Sequence, residues 1–402
     1  MKKFVSMLLA LVMVFALCAC GSKTEGGDKA ESKIKVGFIC LHDENSTYDK
    51  NFIDAAKAAC KNAGLSEDQY IIKTNIPEGQ ECYNAAAELV DAGCNVVFAD
   101  SFGHEDFMIQ AAKEFKDVQF CHATGTKAHT EKLSNYHNAF ASIYEGRYLA
   151  GVAAGMKLQQ LIDEGTIKPE EAVIGYVGAF SFAEVISGMT SYFLGARSVC
   201  PSVTMKVQFV GSWSDATEES NAASALCDLG CKLISQHSDN TTPATMAQSK
   251  GAFHTGYNND MTGVAPDASI IGCRIDWTNY FVYAIESVAN GQEFDQDYCY
   301  GYDHGDVVLT ELNEKIAAPG TAEKLAEVEA GLADGSIKVF DTSTFTVEGE
   351  TLTSAFALDT DGDFTPDSEE AVFDGAFHES YFQSAPYFAI KIDGIEWLNS
   401  AF

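Results

Sequence analysis

The sequence predicts an α/β fold of two doubly wound, parallel-sheet lobes joined by a hinge. Three observations predict it. Short apolar runs of strand length alternate with stretches whose apolar residues recur every three or four positions, a βα succession. That succession occurs twice, starting near Lys33 and again near Ala172. In addition, residues 84–94 match residues 221–231 at seven of eleven positions with an offset of 137. Val36-Gly-Phe38 and Ile174-Gly-Tyr176 correspond at nearly the same offset, so the two series read as related halves.

In the first half, strand-like runs fall at 34–40, 70–74, 95–99 and 118–121, with helical stretches at 49–63, 80–93 and 105–116. A further apolar run at 136–141 leads into a helix of small residues opened by Tyr144-Glu-Gly-Arg147. Glu145 and Arg147 read as structural ion-pair candidates. The second half has strands at 172–178, 204–210, 232–236, 252–257 and 269–273, and helices at 183–198, 215–229, 242–250 and 277–291. Short, continuously apolar strands between helices indicate parallel sheets covered on both faces. The expected division is a first lobe over 33–150 with a return segment near 276–303, a second lobe over 151–275, and an extension over 304–402 partly packed on the lobes. Within the extension, 321–333 has helical spacing, 337–340 and 344–347 look like strands, and Gly349-Glu350 marks a hairpin.

Composition narrows the function. Of 402 residues, 26 are basic and 58 acidic, a formal charge of −32. That excess disfavours binding to a phosphate backbone or to anionic lipid, so nucleic acid is not an expected partner. The N-terminus reads as an address. Lys2 and Lys3 precede an apolar run over 4–17, too short to span a bilayer comfortably. Leu17-Cys-Ala-Cys20-Gly21 resembles a bacterial lipobox, which implies a signal peptide over 1–19, lipidation at Cys20 and a polar tether over 20–32. A plain secretory peptide is the alternative. Of the ten remaining cysteines, several sit in apolar strand-like runs, and none has zinc-site spacing. Free thiols are therefore expected.

Loops at strand C-terminal ends bind ligands in open α/β sheets. Two lobes facing each other across such loops form a cleft that closes on a small molecule by hinge bending. The loops here are rich in aromatics, amides and acids. Asp43, Ser46 and Tyr48 follow the first strand, Ser101 and Phe102 the third. In the second half Phe182, Trp213, His237, Asp239, Asp260, Asp276 and Trp277 occupy corresponding loops. Ser46 and Asp43 could equally cap the next helix. Flat aromatic faces beside in-plane acceptors suit a nucleobase, although a sugar would use the same groups.

These loops and several motifs resemble the basic membrane protein family. They include Asp43-x-x-Ser-Thr-Tyr48, Val97-Phe-Ala-Asp-Ser-Phe-Gly103, Tyr144-Glu-Gly-Arg-Tyr-Leu-Ala-Gly151, Gly195-Ala-Arg-Ser198 and Gly256-Tyr-Asn-Asn-Asp260. The resemblance runs from about 33 to 303. It implies a periplasmic-binding-protein type I fold and a lipoprotein that delivers a purine nucleoside or base to the permease of an ABC transporter. It points to Ser46, Ser101, Phe102, Trp213, Asp260 and Trp277 as contacts, then to Phe182, Tyr48 and Asp276. The nucleoside-binding branch has a lysine near 274–277, and none aligns here. The pattern of Trp213 with Asp276-Trp277 looks more like the branch for free purine bases.

No cofactor is called for, because no Walker loop, dinucleotide fingerprint, Gly-x-Ser-x-Gly or His-Glu-x-x-His occurs. Asp359, Asp361, Asp363 and Glu370 fall at calcium-loop positions, but Phe364 stands where the sharp turn needs Gly, so a solvated acidic loop is the reading. His237 and Asp239 could form a base and its orienter. A cell-surface nucleoside hydrolase, or a receptor presenting its ligand to a membrane sensor, is therefore the alternative function.

Overall fold

The computed structural model describes residues 34–358 and 366–400. The expected signal, the tether with Cys20, and Asp359, Asp361 and Asp363 lie outside the described residues.

The first sheet is built from β1 (Val36–Ile39), β2 (Tyr70–Lys73), β3 (Val96–Ala99), β4 (Gln119–Ala123) and β5 (Tyr136–Ala141). They alternate with α1 (Thr47–Asn62), α2 (Gln80–Asp91), α3 (Glu105–Glu114) and the one-turn α4 (Ala128–Glu131). Then α5 (Ile143–Asp163) leads to the second sheet: β6 (Val173–Gly178), β7 (Thr204–Phe209), β8 (Leu233–His237), β9 (Phe253–Tyr257) and β10 (Ser269–Ile275). Its helices are α6 (Ala183–Val199), α7 (Ala216–Asp228) and α8 (Thr242–Ser249). The chain returns through α9 (Thr278–Asn290) to β11 (Asp297–Tyr300), and crosses back to β12 (Val307–Leu309). Beyond lie α10 (Thr321–Ala333), the small hairpins β13 (Phe356–Leu358) with β14 (Pro366–Glu370) and β15 (Val372–Phe373) with β16 (Ala376–Phe377), and finally β17 (Ile395–Trp397).

The first sheet runs β2-β1-β3-β4-β5-β11, all parallel. The second repeats the order as β7-β6-β8-β9-β10, with antiparallel β12 at one edge and parallel β17 at the other. The repeated sequence, on α2 and α7 and the strands that follow them, thus sits at equivalent positions. In both sheets the order reverses beside the first strand, between β1 and β3 and between β6 and β8. That switch point is where loops diverge and leave a crevice.

Three chain crossings join the sheets, and they bond to each other. Ser142 N–H donates to Tyr300 O at 2.9 Å, and Asp276 N–H to Asp306 O at 2.7 Å. Glu145 accepts from Tyr302 N–H at 2.7 Å, which spends it on the third crossing. It is not the partner of Arg147, contrary to the sequence reading. Arg147 is fully buried, donates to Gly256 O, Tyr176 OH and Ser235 Oγ, and lies over the rings of Tyr176, Tyr192 and Tyr257.

α5 and α6 pack backbone to backbone. A Cβ on Gly151 would stand 2.0 Å from Tyr192 O, and one on Gly195 would stand 2.0 Å from Tyr148 O. Only glycine permits that approach. Around this crossing lies the core of the second half, which also takes in Phe340, Phe345, Tyr387 and Phe388 from the extension. The segments 337–340 and 344–347 are turns rather than strands. Their apolar residues anchor a loop onto α5 and α6 instead of pairing. Only the Val347–Glu350 pair of the expected hairpin forms, around Glu348 and Gly349, both at positive φ. The ten described cysteines are free thiols, eight of them buried.

Candidate ligand-binding cleft

The loops at the two switch points meet over a cavity of about 390 Å³ of atom-free space, part of it open to solvent. Leu41, His42, Tyr48 and Asp49 come from the segment after β1, Asp100 to Phe102 follow β3, and Thr124 follows β4. The second half contributes Glu184, Trp213, His237, Asp239, Tyr257 and Asn258. The halves touch here: Thr47 N–H donates to Asp239 O at 2.9 Å, and the Phe102 and Phe182 rings lie 5.6 Å apart.

Aromatic rings from both halves surround the cavity. Phe182 stacks on Phe180 at 5.0 Å, and Phe180 meets Trp213 edge-on at 5.1 Å. Tyr257 packs against His237 at 4.3 Å. Tyr48 donates its hydroxyl to Asp100 O at 2.8 Å, which fixes its ring across the cleft floor.

Carboxyl groups from both halves line the same space. Asp49 is set on the first turn of α1, where it accepts from His42 N–H at 2.7 Å and Ser46 Oγ at 2.6 Å. Burial works against its ionisation, but bonds from His42 and Ser46 outweigh it and hold the carboxyl below the ordinary range. The same contact raises His42. Asp100 shifts the other way: burial, then the neighbouring Asp49 charge, push it well above the ordinary range. Polar atoms of Cys40, Asp49 and Asp100 all lie within 4.8 Å of one another, close enough for one carboxyl to suppress the other's ionisation. Asp239 is raised by burial, then by Asp49, Glu219 and Glu184. His237 lies 3.4 Å from Glu184, and burial lowers it toward the neutral form. Asp100 Oδ2, Thr124 Oγ1, Tyr257 OH and Asn258 Oδ1 are buried with no hydrogen-bond partner of good geometry. Buried polar atoms are ordinarily satisfied, so these atoms, with His237 Nδ1, leave the cavity able to bond a polar ligand or water.

Of the twelve residues expected from sequence, the structure brings Tyr48, Ser101, Phe102, Trp213, His237 and Asp239 to the cavity. Phe182 stands beside it, against Phe102 and Trp213. The remaining five lie elsewhere. Ser46 caps α1, accepting from Asp49 N–H. Asp43 holds a turn through Asn45, and Asp260 one through Thr262. Asp276 pairs with Arg274 at 3.2 Å and lines a separate surface hollow with Lys50 and Asn51. Trp277 is 1% exposed and packs against Phe52, Phe140 and Phe281 in the first core, because the chain has already returned to the first sheet there. Glu370 accepts from Ser354 and Ala355 in the extension. Sequence reasoning passed over Asp49, Asp100, Glu184 and Tyr257. All four stand in the loops it chose, where an acid at a helix start reads as a cap and a tyrosine at a strand end as packing.

Comparison with known proteins agrees with this architecture. Residues 35–337 match the Bmp family, described as ABC transporter substrate-binding protein PnrA-like. The chain is 32% identical over 332 residues to the purine-binding protein of Brucella abortus, covering 82% of this chain and 89% of that one. It is also 32% identical over 256 residues to a putative ABC transporter glucose-binding protein of Haloferax volcanii, covering 64% of this chain and 61% of that one. Among solved structures, an ABC transporter solute-binding protein of Aeropyrum pernix superposes with a TM-score of 0.63 at 14% identity, over 76% of this chain and 93% of that one. Among the described residues, no helix is long and apolar enough to cross a membrane. The chain belongs to the Bmp family of extracytoplasmic substrate-binding proteins of ABC transporters, built on the type I periplasmic-binding fold.

Proposed function

We propose that the cleft captures a purine base or nucleoside and that the two halves, closed over it, present it to the permease of an ABC importer. The protein works from the membrane surface, held by a lipid on Cys20. Tyr48, Phe102, Phe182 and Trp213 supply faces for the ring, and Asp100, Asp239, Tyr257 and Asn258 supply edge contacts. The observation that carries this reading is the convergence of aromatic faces and unsatisfied buried polar atoms on one cavity. The purine-binding relative supports the same ligand class.

A sugar is the second reading, favoured by the Haloferax relative and by the carboxylates, which also suit hydroxyl groups. Mass spectrometry of what leaves the purified protein on denaturation, followed by calorimetry with purines, their nucleosides and glucose, tests both. A purine bound near one per chain is the expected result. Binding of glucose with no response to any purine would reject the reading. Steady release of free base from a nucleoside would reveal a hydrolase instead.

A further inference from the structure

We infer that the loop over residues 379–388 is a strap that ties the two halves together and biases the cleft toward closure. It lies beyond the family match, which covers residues 35–337. The chain around it is anchored in the second half. Phe340, Phe377, Tyr387 and Phe388 are buried in the second core, with Phe388 stacked on Phe340 at 4.5 Å. Farther on, β17 adds to the outer edge of the second sheet. Between these anchors the loop closes on itself. Glu379 accepts from Ser380 N–H at 3.2 Å, Tyr387 N–H at 2.7 Å and Phe388 N–H at 2.9 Å. Tyr381 N–H donates to Tyr387 OH at 3.0 Å. A compact loop with both ends pinned acts as a peg rather than a slack tether.

The tip of the peg reaches the first half. Ser384 N–H donates to Asp297 Oδ2 at 3.0 Å, and Ser380 faces Cys299. Asp297 and Cys299 are two apart on β11, so they share one face of the edge strand of the first sheet. Ser384 is 1% exposed, so the contact is shielded from water. Asp297 begins β11, and Tyr300, whose carbonyl accepts from Ser142 at the crossings, ends it. Three residues of strand place the strap contact about 10 Å from that crossing. Rotation of the halves about the crossings therefore carries Asp297 past a loop fixed to the other half. A hydrogen bond of ordinary length is lost after a shift of about 1 Å. Here the halves touch across the cleft, from Thr47 to Asp239, with the strap engaged. The bond belongs to the closed arrangement, and its free energy favours that arrangement over an open one.

Small-angle X-ray scattering of the unliganded protein is the test, and it does not depend on what the ligand is. Asp297→Ala removes the acceptor from β11, and Ser384→Pro removes the donor from the loop. Neither residue belongs to a hydrophobic core, so both variants should fold, which circular dichroism checks. Both should have a larger radius of gyration than wild type. Asp297→Asn keeps an acceptor oxygen and should stay near wild type. A folded Asp297→Ala or Ser384→Pro protein with the wild-type scattering profile would overturn the inference. Calorimetry with adenine and adenosine adds a second readout. Asp297 lies outside the cavity, yet its replacement by alanine should weaken whichever compound binds by about three- to tenfold, because a smaller fraction of the protein is closed. Unchanged affinity would overturn the bias toward closure. A wild-type protein that ignores both compounds would count against the purine reading and leave the strap to be decided by scattering.

Discussion

Replacing Gly151 by alanine is the sharpest test of the packing. In an exposed helix this change stabilises by up to about 1 kcal/mol, because glycine loses more backbone freedom on folding. Here the added Cβ would lie 2.0 Å from Tyr192 O, 2.8 Å from its carbonyl carbon and 3.1 Å from Ala196 N. Backbone atoms cannot swing aside as a flexible side chain does, so α5 and α6 must separate by an ångström or more. A gap of about that size forfeits a quarter to a half of each dispersion contact it opens. Overpacking of this kind costs about 1–3 kcal/mol, sometimes more, and the rigidity of both neighbours argues for the upper end. Net destabilisation of about 2 kcal/mol follows after the propensity gain is subtracted. Urea denaturation followed by circular dichroism reads it as a lower midpoint at unchanged slope. Gly195→Ala should do the same from the opposite helix, since its Cβ meets Tyr148 O at 2.0 Å. The double variant should cost less than the sum, because one separation relieves both clashes. A Gly151→Ala protein with an equal or higher midpoint would refute the argument.

Trp213→Ala should weaken purine binding by about 10- to 100-fold, the worth of one stacking face, and leave the unfolding midpoint nearly unchanged because the ring is half-buried. Calorimetry and a melt on the same sample check it. Trp277→Ala should instead cost about 3–5 kcal/mol of stability, since the ring fills the first core; a melt within two degrees of wild type would contradict that placement. Glu219 predicts a pH dependence. Burial raises its carboxyl from 4.5 to about 7, so the folded state holds this proton more tightly than the unfolded chain. Its contribution is therefore fully present below pH 4.5 and falls as pH rises toward 7, a loss of about 3 kcal/mol at about 1.4 kcal/mol per unit. Wild type minus Glu219→Gln stability should decline over that window, and parallel profiles would count against it.

Most of the alternating framework was legible from periodicity, because a strand buried on both faces has to be apolar throughout and the helices around it have to be amphipathic. The internal match at 84–94 and 221–231 exposed the repeat directly. The failures have physical causes. β12 and β17 are three residues each and gain their strand character from the edge they complete, which no local pattern shows. Residues 337–347 alternate like strands, yet Phe340 and Phe345 are pins into a helical core. At the cleft, the correct loops were visible, but within each loop the sequence could not say which polar side chain turned inward. Ser46 and Asp49 are three residues apart, and hydrogen bonding assigns the cap to one and the cavity to the other. Trp277 shows the limit most clearly. It stands at a strand end like Trp213, but the chain crosses between sheets at that point, and topology alone sends its ring inward.

The pairing of β17 with β7 joins residues 190 positions apart, Lys206 and Glu396 among them. A ribosome makes these residues many seconds apart, at roughly 5–20 residues per second. Throughout that interval β7 has a completed partner in β6 and a bare outer margin of N–H and C=O groups, the kind of margin that recruits strands from other chains. Once Phe388 has packed into the second core, this flank stays open until residues 395–397 pair with it. A truncation before residue 395 would make that stage permanent, and the resulting protein would be expected to bind its ligand and still self-associate through β7.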